Sequence, residues 1–312
     1  MSFQQPLTFD PHYMERVWGG HSLGAKLHRK LPDSGPIGES WELVDREDIQ
    51  SVVNHGDLEG VTLHELWITM RESVFGADIP DSPRFPLLAK LLDATDTLSV
   101  QVHPPEHKAA ELNGEPKTEM WFLLDAEPGA SLYAGFRGGV HQQTFEEGLS
   151  TGDVERLLHK IPVKAGDAMF IPSGRCHAIG AGCLIIEIQQ NSDTTYRVFD
   201  WNRTGLDGKS RELHIGESLD SIDFADHEPC LVEQSGDVLV DCPYFQVERW
   251  SLDFARADHS ERGVIFNVIS GEVICGGRAF RAGDLFLLPA VAEDRALVPT
   301  ESGTKVLRTT IP

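Results

Sequence analysis

Basic residues are scarce in this 312-residue chain: 27 Lys and Arg stand against 49 Asp and Glu, for a net charge of −22. A nucleic acid backbone is bound mainly by Lys and Arg that displace condensed counterions, so this balance excludes nucleic acid as a partner class. A small phosphorylated ligand stays compatible, because a few cations converging in a pocket outweigh a repulsive global field at short range. Cysteine is also sparse. Cys176, Cys183, Cys230, Cys242 and Cys275 are odd in number and lack CxxC spacing, which argues against a disulfide framework and predicts a reduced, cytoplasmic setting. Long apolar runs are missing too. The stretch 85–92 is broken by Pro86 and Lys90, far short of the roughly 20 residues a membrane span requires. The opening MSFQQPLTFD has neither the basic nor the apolar segment of a secretory signal, so a soluble protein without a membrane partner is expected.

What is present is ordinary globular composition, 40% hydrophobic and 24% charged, so the whole chain is expected to fold. Its length allows two domains. Short alternating or apolar runs punctuated by Gly, Pro, Asp and Asn predict a mainly β protein of antiparallel barrel or sandwich type. Helical spacing occurs near 63–73, 105–112 and 145–159 and predicts short helical decorations. An internal echo, VKAGDAMFIP at 163–172 and FRAGDLFLLP at 280–289, suggests two related barrels. The first copy continues into SGRCHAIGAG and the second into AVAEDRALVP, without a histidine. A metal-binding catalytic domain over 1–225 and a smaller β-barrel-like domain over 226–312, lacking metal ligands, are therefore expected.

Three segments carry the chemistry. TLSVQVHP at 97–104 alternates Leu98, Val100 and Val102 against Ser99, Gln101 and His103, so the three polar side chains share one face of a strand. Taken alone, this equally describes an edge strand with its polar face in water. PKTEMWFLL at 116–124 puts Lys117, Glu119 and Trp121 on one face, an arrangement that by itself reads as a minor surface ion pair. GDAMFIPSGRCH at 166–177 is more specific. Gly166, Pro172, Gly174 and His177 fit the second cupin signature, G-x5-P-x-G-x2-H, whose terminal Asn is replaced here by Ala181. Together the segments offer two imidazoles, a carboxylate and an amide oxygen, a donor set that suits zinc and accommodates manganese, iron or cobalt. Farther on, alternation in LIIEIQ at 184–189 directs Glu187 toward the same cavity, and Arg197 follows, which by itself reads as a surface or interface arginine and is also a cation suited to a carbonyl or enediolate oxygen.

LSVQVHP, GEPKTEMWFLL, the His177 segment and EIQQNSDTTYRVFDWNR at 187–203 resemble the class I mannose-6-phosphate isomerase family in its compact bacterial form, within the cupin superfamily. The Trp18-Gly19-Gly20 cluster, GESWEL at 38–43 and FPLLAKLLDA at 85–94 extend the likeness to about two thirds of the chain. The resemblance implies a cupin or jelly-roll β-barrel and one zinc per chain on Gln101, His103, Glu119 and His177. It also implies a catalytic Arg197, with Ser99, Lys117 and Glu187 about the substrate. The implied reaction is the exchange of mannose 6-phosphate and fructose 6-phosphate through a cis-enediol. Glu187, Asp193, Lys117 and His107 are candidates for the general base. Lys117 and Arg203, and then Arg137, are candidates to hold the phosphate. A sugar-phosphate-binding regulatory cupin and an isomerase of another sugar are the competing functions, and oligomeric state is left open.

Overall fold

The structure is a computed structural model that describes residues 3–33 and 35–312, and it is mainly β. Two compact units divide the chain, and neither is contiguous. One consists of Tyr13–Ser40 and Ala89–Val232. The other gathers the N-terminal segment up to His12, Trp41–Leu88 and Glu233–Pro312. Sequence suggested one boundary, near residue 225; the units join at 12/13, 40/41, 88/89 and 232/233. The N-terminal segment groups with the C-terminal strands because Leu7 exchanges both backbone hydrogen bonds with Leu287, at 2.8 and 2.9 Å. No helix among the described residues is long and apolar enough to cross a membrane.

Among the described residues eleven strands precede the last join: β1 (His12–Gly20), β2 (Ile37–Leu43), β3 (Leu87–Ala94), β4 (Val100–Val102), β5 (Glu119–Ala126), β6 (Ser131–Phe136), β7 (Leu158–Pro162), β8 (Ala168–Ile171), β9 (His177–Ile179), β10 (Cys183–Gln190) and β11 (Tyr196–Phe199). They form a sheet ordered β1-β2-β3-β10-β5-β8 and a second ordered β11-β4-β9-β6-β7. Leu92, Trp121, Leu123, Met169 and Ile185 of the first sheet share a core with Leu132, Ala134 and Ile179 of the second. Val100 and Val102 belong to a different cluster, with Phe136, Val198 and Phe145 of the helix Gln142–Thr151. That packing decides the orientation of β4. Because side chains alternate along a strand, burying both valines beneath the helix leaves Gln101 on the opposite face.

The helical stretch expected over 145–159 is divided. Gly152 adopts φ 76° and caps Gln142–Thr151, a left-handed C-cap that favours glycine. A 3₁₀ turn at Glu155–Leu157 follows, and β7 begins at Leu158. Elsewhere Leu63–Thr69 and Arg71–Phe75 fill the expected 63–73 region, while Glu106–Ala109 is one short turn.

After the last join come β12 (Val238–Asp241), β13 (Gln246–Leu252), β14 (Arg256–Ala257), β15 (Val264–Ser270), β16 (Glu272–Cys275), β17 (Arg278–Arg281), β18 (Leu285–Leu288), β19 (Ala296–Pro299) and β20 (Thr304–Thr310). Their sheets run β12-β13-β20-β15-β18 and β14-β19-β16-β17. The sequence echo is structural. Lys164 N–H donates to Asp167 Oδ2 and Arg281 N–H to Asp284 Oδ2, each at 2.9 Å, and Gly166 and Gly283 both sit at φ 89°. Each turn launches an inward strand, β8 or β18. Trp250, Phe266, Phe280 and Phe286 fill the interior of this second set of sheets, with the last two rings stacked at 4.0 Å.

Candidate metal centre and cavity

Gln101 pairs with His177 across β4 and β9, and Arg197 pairs with Gln101 across β11 and β4. From the other sheet, β5 and β10 bring Glu119 opposite Gln189 and Trp121 opposite Glu187. The three segments singled out by sequence therefore meet. One ligand atom each from His103, Glu119 and His177 lies within 4.8 Å of the others, and all three residues are buried.

The hydrogen bonds fix the protonation of this cluster. His103 Nδ1–H donates to the Thr194 carbonyl and His177 Nδ1–H to the Arg175 carbonyl, both at 2.8 Å. A carbonyl can only accept, so each neutral ring turns an unprotonated Nε2 inward. Burial, and next the charge on Lys117, holds the His103 imidazole well below its ordinary range. Burial, reinforced by His103, lowers His177 to about 3. Burial opposes ionisation of Glu119, but Lys117 foremost outweighs it and brings that carboxyl down to about 2.

At neutral pH three lone pairs thus converge: His103 Nε2 is 2.6 Å and His177 Nε2 3.7 Å from Glu119 Oε1. Glu119 Oε1 is a buried acceptor with no hydrogen-bond partner. The Lys117 ammonium stands 3.5 Å from it and 3.4 Å from His103 Nε2. An orphaned carboxylate oxygen facing two basic nitrogens is stabilised by a cation, and neutral imidazole whose other nitrogen donates to a carbonyl is the usual form of a metal-ligating histidine. The residues fit a divalent metal. Gln101 presents its amide nitrogen to His177 Nε2 at 3.3 Å; turning the amide over would put its oxygen at the same place.

A cavity of about 460 Å³ opens beside the cluster, lined by Ser99, Gln101, Lys117, Glu187, Asp193 and Arg197 among others. This volume is within the range of small-molecule sites. Arg197 Nε donates to Ser99 Oγ (3.2 Å) and Nη1 to the Glu212 carbonyl (3.0 Å), fixing one edge of the guanidinium. The Trp121 indole N–H lies 3.0 Å from both Glu119 Oε2 and Glu187 Oε1. Burial, and then the Glu119 charge, pushes the Glu187 carboxyl up.

Three sequence candidates are displaced. His107 is exposed on its short turn and does not line the cavity, so it is withdrawn as a base. Arg203 bonds Asp200 and Asp96 instead of turning inward, and Arg137 lines a separate groove with His159 and Lys160. Residues that sequence reading missed include Lys90, buried 3.5 Å from Glu39 and 3.4 Å from Glu187. Burial opposes its charge, yet Glu39 and Glu187 raise it overall. A signal existed: every residue of LLAKLLDA is buried, and a lysine inside so apolar a strand requires carboxylate partners.

The family described as phosphomannose isomerase type I, catalytic domain, matches residues 7–125. The mannose-6-phosphate isomerase ManA of Bacillus subtilis is 39% identical over 303 residues, covering 91% of this chain and 93% of that protein. The chain belongs to the type I phosphomannose isomerase family. Another relative, the mannose-6-phosphate isomerase of Streptococcus mutans, is 38% identical, covering 91% of this chain and 92% of its own. The crystal structure of the Bacillus subtilis mannose 6-phosphate isomerase superimposes with a TM-score of 0.87 at 30% identity, over 99% of this chain and 100% of that one. The likeness spans both units, and the chain shares the mainly β, cupin-like fold of that isomerase.

Proposed function

We propose that this chain interconverts D-mannose 6-phosphate and D-fructose 6-phosphate through a cis-enediol, with one zinc ion held by His103, Glu119, His177 and Gln101. The observation that carries the reading is the buried Glu119 Oε1, without a hydrogen bond, facing two unprotonated imidazole nitrogens beside a sugar-sized cavity that Gln101 and Lys117 line. The cation, when bound, supplies a Lewis acid that polarises the sugar carbonyl and favours loss of the adjacent proton. Nitrogen and oxygen donors of this kind favour zinc, and metal analysis separates it from manganese, iron and cobalt.

The residues of the chain do the rest. Arg197, fixed by Ser99 and the Glu212 carbonyl, offers a preorganised cation where enediolate charge develops. Glu187, Asp193 and Lys117 all line the cavity, and one of them moves the proton between C1 and C2. Ser99, Lys117 and Glu187 position the sugar. A cytoplasmic setting suits the five unpaired cysteines.

The test is to follow fructose 6-phosphate formation from mannose 6-phosphate with metal-replete protein, with and without chelator. Conversion that chelation abolishes is expected, as is a variant Arg197→Ala whose kcat falls far more than its KM changes. Binding without conversion would make the protein a regulatory cupin. Equal conversion of unphosphorylated mannose would reassign the substrate class.

A further inference from the structure

Several cations line the cavity, and most are already committed. Lys117 is drawn to His103 and Glu119, and Lys90 to Glu39 and Glu187. Arg16 Nε bonds Glu39 at 2.7 Å. Arg211 differs. Its Nε donates to Asp200 Oδ2 at 2.7 Å and its Nη2 to Asp200 Oδ1, so the carboxylate grips one edge and Nη1 is left without a partner among the described residues. Asp200 also takes Arg203, whose other partner is Asp96, so Arg211 shares its one carboxylate with a second guanidinium.

His214 lines the same cavity, and its tautomer is set. The Arg197 backbone N–H donates to His214 Nδ1 at 3.3 Å, while His214 N–H returns a bond to the Arg197 carbonyl at 2.8 Å. With Nδ1 accepting, the proton of the neutral ring resides on Nε2, which becomes a donor. Arg211 and His214 thus give this part of the cavity oriented N–H groups in a chain whose overall charge repels anions.

The backbone also sets distance. Gln101 on β4 pairs with Arg197 on β11, and Arg197 pairs in turn with His214. His214 thus lies two hydrogen-bonded backbone steps from Gln101, each about 5 Å. That span is comparable to an extended six-carbon sugar with a terminal phosphate.

We propose that Arg211 and His214 anchor the phosphate of the sugar phosphate, Arg211 through its Nη1 edge and His214 through Nε2–H, with Asp200 as the positioning residue that aims Arg211. This rests on the isomerase reading for the identity of the sugar, though not for the recognition of phosphate. It assigns the discrimination between phosphorylated and free sugar to the segment after β11, remote in sequence from the metal cluster.

The experiment measures binding of inorganic phosphate, fructose 6-phosphate and free fructose by titration calorimetry, together with kcat and KM for mannose 6-phosphate and free mannose. The proteins are the wild type, Arg211→Met, Arg211→Lys and His214→Phe. Loss of a charged hydrogen bond weakens binding roughly 10- to 100-fold. Arg211→Met is therefore expected to lose that factor for inorganic phosphate and fructose 6-phosphate, with Arg211→Lys recovering part of it. Free fructose binding and free mannose turnover should fall by far less than this factor. Unaltered phosphate binding in Arg211→Met, or equal losses for phosphorylated and free sugar, would overturn the anchor. Wild-type protein that binds fructose 6-phosphate through Arg211 without converting it would sink the isomerase reading and leave the anchor standing.

Discussion

Metal-free protein should lose stability on mild acidification, and His177→Gln should remove the part due to that imidazole. In the fold His177 titrates at about 3 and His103 well below its ordinary range, whereas both return to roughly 6.5 when unfolded. Between those limits the unfolded chain binds more protons, so stability is fully present above about pH 6.5 and is lost as pH falls toward 3. Integrating that linkage from pH 7 to pH 5 gives about 2 kcal/mol for His177, and His103 adds a loss of the same sign. Glu187 acts in the opposite sense, since its raised carboxyl makes the folded state the better proton binder above its unfolded pKa. The wild-type curve therefore falls by less than the pair alone gives, but the difference between wild type and variant isolates His177. Urea unfolding in excess chelator, at half-unit steps from pH 7 to pH 5, measures it. Parallel curves for wild type and His177→Gln would refute the claim that the cluster holds neutral imidazoles. Saturating zinc should raise the wild-type curve and leave its slope in this window unchanged, because the metal-bound fold, like the metal-free one, takes up no imidazole proton there.

Other perturbations test the supports. Trp121→Phe removes the indole N–H between Glu119 and Glu187 and is expected to lower metal affinity about 10- to 100-fold in chelator competition. Lys90→Met leaves the buried Glu187 and the half-buried Glu39 without their shared cation and should destabilise the fold by about 3–5 kcal/mol in chemical denaturation. Asp258, buried between Arg308 and Arg295 with its carboxyl held low despite burial, contributes stability above its unfolded pKa that is lost as pH falls through the folded one. Asp258→Asn should therefore reduce stability at pH 7 by several kcal/mol while metal content, measured by emission spectroscopy, stays at the wild-type level.

The metal cluster was legible because two independent patterns agree on it. Alternation grouped Ser99, Gln101 and His103, and the spacing of Gly166, Pro172, Gly174 and His177 described a turn, strand and corner that the structure forms. What alternation could not decide was the side on which the polar face lies. An edge strand in water and a strand lining a cavity have the same period, and only the packing of Val100 and Val102 beneath Phe145 separates them. Arg203 and Arg211 look alike in sequence, yet both are arranged around Asp200 and only Arg211 reaches the cavity.

By itself the sequence determined the β architecture, the repeated Gly-Asp turn and the chemical identity of the donor set, since these depend on residue type and on spacings of a few positions. Tertiary structure alone decided the ionic pairings of Lys90, Glu39 and Glu187 and the donor tautomers of His103, His177 and His214. It also decided which arginines have an unpartnered edge. Each of those depends on which groups meet across strands far apart in the chain, and on how much water their meeting excludes.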